Sequence, residues 1–406
     1  MEVPPAAQLA ERLRAQPRTA RLADAFAAVA GAHLVGGAVR DLLLGREEPI
    51  DLDVVVEGVA PLAAREAAAA LGGEVREHDR FGTATVVAED LVLDVVTARS
   101  ETYSQPGALP EVRAGSLDED LTRRDFTVNA IAIALHAPEL GTLHAYPGAL
   151  DDLEARTLRV MHAGSFLDDP TRLLRLVRYA ARLEFEADTR TDALARDAIA
   201  AGALGTVSGG RLGGELRLLV AEPTALGGLT RARAIDLDRA LHPSFEPRLD
   251  LAERALNAGV DARRDLLVLA ACCTRFERAE LGGWLDRLEF PAPEREAVVE
   301  AALDAERLAE RLEHAHRASE VRHLMLGRPV EEIALAAALG AGDVVERWKR
   351  AVRDARLEIT GDDLLAAGVP EGPLVGRGLD AAWAALLDEG AEDRDAQLAA
   401  AWESAQ

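Results

Sequence analysis

Apolar and polar positions change their period along the chain. Over residues 7–31 apolar side chains recur at helical spacing and stop at Gly31, which predicts a single opening helix. Val35 then ends a short apolar run, Gly36-Gly37 follows, and residues 38–44 return to helical spacing, with Gly45 where a helix-terminating glycine belongs. Residues 50–56 read as a strand, so Asp51 and Asp53 share one face and Leu52 takes the other. An alanine-rich helix over 61–71 closes at Gly72-Gly73. Residues 83–88 and 91–97 are rich in β-branched side chains and flank Glu89-Asp90, the pattern of a hairpin. Residues 32–97 therefore form a small mixed α/β unit with about four to five strands.

The next segment, 98–118, carries Pro, Gly and Ser without a period and reads as a long loop. Arg123, Arg124 and Asp125 are expected to open a helix whose apolar stripe is Phe126, Ala130, Ile131 and Ala134. Residues 146–153 are a turn and helix entry, and from 151 onward the pattern is almost only helical. Within 165–183, Asp169 precedes Pro170 and is expected to cap a helix. Arg172, Arg175, Arg178 and Arg182 recur every three or four residues along one face of that helix. Residues 206–217 read as a cap and a glycine-broken helix. Turns are expected at Pro243, Gly282-Gly283, Pro291 and Gly327, and 359–379 as a helix–turn–helix piece.

Composition refines this outline. The length of 406 residues calls for more than one module, and 49% hydrophobic with only 4% aromatic residues means a core of Ala, Leu and Val. No apolar run reaches membrane-spanning length, and the N-terminal residues lack the basic-then-apolar pattern of a secretory leader. The adjacent Cys272-Cys273 have neither bridging nor metal-ligand spacing and read as small buried residues in a reducing compartment; a cytoplasmic location is expected. A net charge of −24 argues against nucleic acid as a partner at first sight. The charge is uneven, however: residues 151–220 hold 10 basic and 11 acidic side chains, and every basic residue of the chain except Lys349 is arginine. A local arginine stripe can hold RNA on an acidic protein, with marked salt dependence.

Candidate chemistry concentrates at three places. Asp51 and Asp53 beside the Gly36-Gly37 turn make a site for a divalent cation and a triphosphate, because Mg²⁺ takes carboxylate and phosphate oxygens and glycine lets backbone approach a ligand. Asp94 would add a third carboxylate if its strand neighbours theirs; otherwise it is a partly exposed strand aspartate. Arg123, Arg124 and Asp125 suit a triphosphate and ribose, or a surface ion-pair cluster. Asp169 and Arg172 can reach one ligand together, the carboxylate accepting from the exocyclic amine of C or A and the guanidinium donating to the adjoining ring nitrogen. On this stretch alone, a helix cap with surface arginines is the favoured account of them.

Taken together and in order, these stretches resemble the class II tRNA nucleotidyltransferase/poly(A) polymerase family. Gly36-Gly37-Ala-Val-Arg40-Asp41 with Asp51-Leu-Asp53 looks like its motif A, and Arg123-Arg124-Asp125-Phe126-Thr-Val-Asn129 like its ribose-holding motif B. Tyr146-Pro-Gly-Ala-Leu-Asp-Asp152-Leu is similar to hinge motif C, with Tyr146 and Ala149 departing from the usual Asp and Gly. Asp168-Asp169-Pro-Thr-Arg172 resembles the nucleobase motif D, Asp168 standing for the usual glutamate. Val207-Ser208 with Arg211, Glu215 and Leu216 resembles motif E, and 359–379 is similar to family tails.

The resemblance implies an α+β chain: a small polymerase-β-like nucleotidyltransferase head with a mixed sheet over 1–145, then an all-α neck (146–220), body (221–356) and tail (357–406). It implies addition of CCA to tRNA 3′ ends from CTP and ATP, with Mg²⁺ held by Asp51 and Asp53. Gly36, Gly37 and Arg40 would position phosphates, Arg124 and Asp125 the ribose, and Asp169 and Arg172 the base. Arg123, Asn129, Asp168 and Arg175 complete the expected nucleotide site. Adding A alone, CC alone or poly(A) uses the same motifs. An unshortened 98–118 segment speaks against CC-only addition and an acidic C-terminal end against poly(A); a silent RNA-binding relative would have lost a metal carboxylate.

Overall fold

The computed structural model describes residues 3–46, 52–78, 82–352 and 355–405. By contact, residues 1–215 with 234–240 form one unit, and 216–233 with 241–406 another.

The first unit is built on a seven-stranded sheet. Its strands are β1 (Ala32–Val35), β2 (Leu52–Val56), β3 (Glu74–His78), β4 (Thr83–Ala88) and β5 (Leu91–Thr97), with β8 (Ile131–Ala134) and β9 (Leu143–Ala145) following the separate hairpin β6 (Arg99–Thr102) and β7 (Glu111–Ala114). The sheet order is β3-β4-β5-β2-β1-β8-β9. Only β2 and β5 run parallel; the other neighbours are antiparallel. Every residue of β1 and β8 is buried, as expected of strands covered on both faces. The Ala60–Leu71 helix buries Ala60, Ala63, Ala64, Ala67 and Ala68. These small side chains let it lie close to the sheet, and a Cβ on Gly73 would sit 2.6 Å from the Val87 carbonyl oxygen.

Several expectations are corrected here. The opening segment is two helices, Ala6–Ala15 and Pro17–Phe26, because Pro17 cannot continue a helix and leaves Gln16 extended. Residues 123–134 are not a helix. The helix is Leu117–Thr122, started by a Ser116/Glu119 capping box, and after a short 3₁₀ turn Ile131–Ala134 enters the sheet between β1 and β9. The 98–118 segment is not all loop, since it holds the β6–β7 hairpin. Asp169 is extended before Pro170 and its Oδ1 accepts the Thr171 N–H (3.1 Å), as a cap does, while the regular arginine helix spans Arg172–Leu183. The Gly209–Ala221 helix runs unbroken through its glycines, and Gly282-Gly283 lie inside the Arg278–Arg287 helix. A short parallel pairing of 157–158 with 186–187 interrupts the helical region.

The second unit is helical. Its longest helix, Ala292–Glu313, buries Val298, Ala301, Ala305, Leu308 and Leu312 on one stripe. The Arg264–Cys272 helix is buried from Leu266 onward, and Cys272 and Cys273 are both buried and form no disulfide, the Cys273 thiol being pushed up by burial. Ile359, Leu364, Val369, Ala382 and Ala401 make a separate small core. Among the described residues no helix is long and apolar enough to cross a membrane.

Candidate active site

The site begins where β1 ends. Gly36 adopts φ +70°, its N–H donates to the Ile131 carbonyl (3.0 Å), and the Gly37–Leu43 helix starts at once. A Cβ on Gly36 would lie 2.9 Å from Nη1 of Arg124, so the glycine makes room for that guanidinium. Arg40, on this helix, is almost fully buried. It donates to Asn129 Oδ1 (2.5 Å) and to both oxygens of Asp41 (3.0 Å each). Its guanidinium thus ties the turn to the 127–129 segment.

The carboxylates lie on the neighbouring strands. Asp53 is exposed on β2 while Leu52 is buried, as alternation requires. The parallel register sets Asp53 opposite Asp94 of β5, so the strand neighbourhood on which Asp94's role depended is present. Asp94 is exposed as well, and its Oδ1 accepts from Thr85 Oγ1 (2.7 Å). Asp51 lies outside the described residues, and among those described no group of three ligating side chains is assembled for a metal. Two solvent-facing carboxylates on adjacent strands are hard oxygen donors, a set that fits a divalent cation sharing its coordination with phosphates and water.

Behind the turn lies a buried network of charge. Asp120, fully buried, accepts from Arg123 (2.6 and 3.0 Å) and Arg124 (2.9 Å). Burial raises its pKa, yet the two guanidiniums bring the net shift below the usual value. Asp125 accepts from Asn129 Nδ2 (3.0 Å), its neighbour's N–H (2.8 Å) and Arg175 twice (2.6 and 2.9 Å). Burial opposes its charge, but Arg175 and Asn129 hold its carboxyl at about 2. Arg175 also donates to Glu215 (3.0 Å) and Tyr179 (3.1 Å), and Arg178 to Glu215 (3.1 Å). The Tyr179 ring lies under the guanidiniums of Arg178, Arg175 and Arg40 at 4.9, 5.3 and 5.9 Å. Three of the four arginines of the stripe are thus withdrawn from solvent: Arg172 and Arg178 are buried and Arg175 is half-buried, while Arg182 is exposed.

The residues expected to read the base divide between two settings. Asp168 and Arg172 line a cavity of about 370 Å³ with Arg123, Glu101, Tyr103 and His162. Arg172 donates to Ser165 Oγ (2.6 Å) and to the Arg123 carbonyl (2.8 Å). Burial and the Glu101 carboxylate push the Tyr103 hydroxyl up to about 12, and burial lowers the His162 imidazole despite Asp168 at 3.7 Å. Asp169 instead accepts from Arg211 (2.8 Å), Thr171 Oγ1 (2.6 Å) and the Thr171 N–H (3.1 Å). Sequence reasoning missed Asp120, Glu101, Tyr103, Ser165, His162 and Tyr179. Only Asp120 carried a usable signal, since it stands three and four residues before Arg123 and Arg124.

The comparisons agree with this geometry. A model of the poly(A) polymerase head domain matches residues 32–159. An A-adding tRNA nucleotidyltransferase of Geobacter sulfurreducens is 35% identical over 90% of this chain and 44% of its own length. A CC-adding tRNA nucleotidyltransferase of Deinococcus radiodurans is 35% identical over 85% of this chain and 82% of its own. A Thermotoga maritima CCA-adding enzyme complexed with tRNA is 27% identical, with a TM-score of 0.79 and both chains covered fully. An apo CCA-adding enzyme gives 28% and 0.84, again over both full chains. The glycine turn and paired strand carboxylates on a mixed sheet, followed by helices, define a nucleotidyltransferase architecture. The chain belongs to the tRNA nucleotidyltransferase/poly(A) polymerase family. It spans 44%, 23% and 49% of the lengths of three A-adding relatives that it matches.

Proposed function

We propose that this chain is a template-independent nucleotidyltransferase that builds or repairs the 3′-terminal CCA of tRNA from CTP and ATP, releasing pyrophosphate. The observation that carries this reading is the Asp53–Asp94 pair beside the Gly36 turn, backed by the buried Asp125–Arg175 network. Asp53, with Asp51 and Asp94, would hold Mg²⁺, which when bound neutralises the triphosphate and lowers the pKa of the attacking 3′-hydroxyl. The Gly36-Gly37 turn and Arg124 face the phosphates, and Arg40 keeps the turn in place. Asn129 and Asp125, locked by Arg40 and Arg175, orient the ribose. Arg172 and Asp168 meet the base, and Asp169 joins them once its carboxylate leaves Arg211. Residues 1–145 serve as the head, 146–220 as the neck, 221–356 as the body and 357–406 as the tail, the last two carrying RNA by shape and backbone contacts. The buried cysteines, not joined in a disulfide, fit a reducing cytoplasm.

A second reading, addition of the terminal A alone, is favoured by two relatives. The A-adding enzymes of Aquifex aeolicus and Halalkalibacterium halodurans are 46% and 44% identical over about half of this chain. The test is incubation with tRNAs ending before CCA, after C and after CC, with CTP, ATP or both. Stepwise CCA addition is expected. ATP extension of the CC-ending tRNA alone replaces this reading with A-adding, CC addition without A replaces it with CC-adding, and no incorporation on any tRNA overturns it.

A further inference from the structure

The second unit carries a basic cavity unrelated to the head chemistry. It measures about 170 Å³ and lies between the residues leading into the Ala318–Met325 helix and the Gly342–Val352 helix. His316, Arg317, Arg347 and Trp348 line it over a floor that includes Val321 and Val344, and no carboxylate is among the lining residues. Acidic residues outnumber basic ones 36 to 23 over 221–406, so an acid-free basic lining is selective. Two nearby carboxylates are engaged elsewhere. Glu346 faces Lys349 (3.3 Å), and Glu320 accepts the backbone N–H groups of His316 (3.1 Å) and Arg317 (3.3 Å). The first turn of the helix is thus already capped, and the cavity's donors are side chains.

Among these donors, Trp348 is the informative one. Its indole Nε1 is buried and has no hydrogen-bond partner among the described residues. A buried indole N–H without an acceptor is destabilising, and such a group is commonly completed by a ligand or water. Indole is a donor only, so it calls for an acceptor. Arg317 and Arg347, lining the same cavity, specify an anionic one, and the planar guanidinium suits phosphate oxygens.

We propose that His316, Arg317, Arg347 and Trp348 form a phosphate-binding site. The indole N–H and the guanidiniums bind the phosphate oxygens, and Val321 and Val344 give the attached group an apolar seat. A backbone phosphate of RNA and free inorganic phosphate share this chemistry. The RNA source rests on the function proposed above.

The test follows the indole N–H resonances of the full chain labelled with ¹⁵N-tryptophan. There are four tryptophans, and Trp348→Phe assigns its signal. The protein is titrated at fixed ionic strength with tRNA lacking CCA and, separately, with inorganic phosphate. A shift of the Trp348 signal on adding tRNA is expected, lost in the Arg317→Ala/Arg347→Ala double variant. The slope of log affinity for tRNA against log salt should fall by about one in that variant. A shift with inorganic phosphate but not with tRNA assigns the site to free phosphate. No shift with either, or a shift unchanged in the double variant, overturns the proposal. Nucleotide incorporation by the same preparation separates the two readings: incorporation with an unmoved indole removes only this site, and a moved indole without incorporation removes only the transferase.

Discussion

Two carboxylate settings stand within the first unit, and they are opposites. Asp53 and Asp94 face solvent side by side on parallel strands. Asp125 is buried and surrounded by Arg175, Asn129 and its own backbone neighbour. Two like charges in water tolerate each other, because solvent screens them, and a divalent cation arriving between them can bind both. A buried carboxylate has no such latitude and exists as an anion only because guanidinium and amide donors were folded around it. The open pair is therefore suited to chemistry that assembles at each turnover. The closed network is suited to holding one shape through all turnovers.

This contrast separates stability from activity. Asp125→Ala leaves the half-buried Arg175 with Glu215 as its remaining carboxylate partner. The expected cost is about 3 kcal/mol of folding stability, measured by denaturant unfolding. Equal stability of variant and wild type would mean that the network is not holding the fold.

Acid should expose the same group. Folded Asp125 titrates at about 2, against an ordinary value of 3.8. Its folded value is the lower one, so its contribution is complete above roughly pH 4 and is lost as the pH falls toward 2. That contribution is on the order of 2 kcal/mol. Unfolding free energy followed from pH 5 to 2 should fall more steeply in wild type than in Asp125→Asn, and parallel curves would contradict the assignment.

A smaller pH effect is expected at the far end of β1. Burial holds the His33 imidazole below its ordinary value; the Gly31 carbonyl and Glu57 oppose this, and His144 and His136 add to it. The three rings pack edge to face at 5.2 and 5.7 Å. The stabilisation is present above the unfolded value of about 6.5 and is lost as pH falls through the folded one. Thermal unfolding between pH 7 and 5 should therefore be less pH-dependent in His33→Gln than in wild type.

Local signals carried much of this architecture. The Gly36-Gly37 turn, the 61–71 helix and the hairpin around Glu89-Asp90 are each decided by neighbouring residues, and each stands where the sequence places it. Long-range partners decided the rest. Ile131-Ala-Ile-Ala134 satisfies a helical stripe as well as a strand, and pairing with β1, about a hundred residues earlier, settles it. β3 is largely exposed and mostly polar, so it shows no hydrophobic alternation and emerges only through its pairing with β4. At the site, the residue types of Asp125, Arg175 and Asp169 were readable but their partners were not. Arg175 meets Asp125 across 50 positions, and Arg211 meets Asp169 across 42. Arg175 and Arg178 of the stripe, which surface arginines would also have explained, belong to a buried network, while Arg182 is exposed.

The division between the open pair and the closed network is tested most directly by Asp53→Asn. Its single-turnover rate of AMP transfer to a CC-ending tRNA would be measured at saturating ATP, with the ATP concentration giving half-maximal rate. A rate at least about a thousandfold below wild type is expected, the half-maximal concentration and thermal stability staying near theirs. A rate within tenfold of wild type would contradict the division.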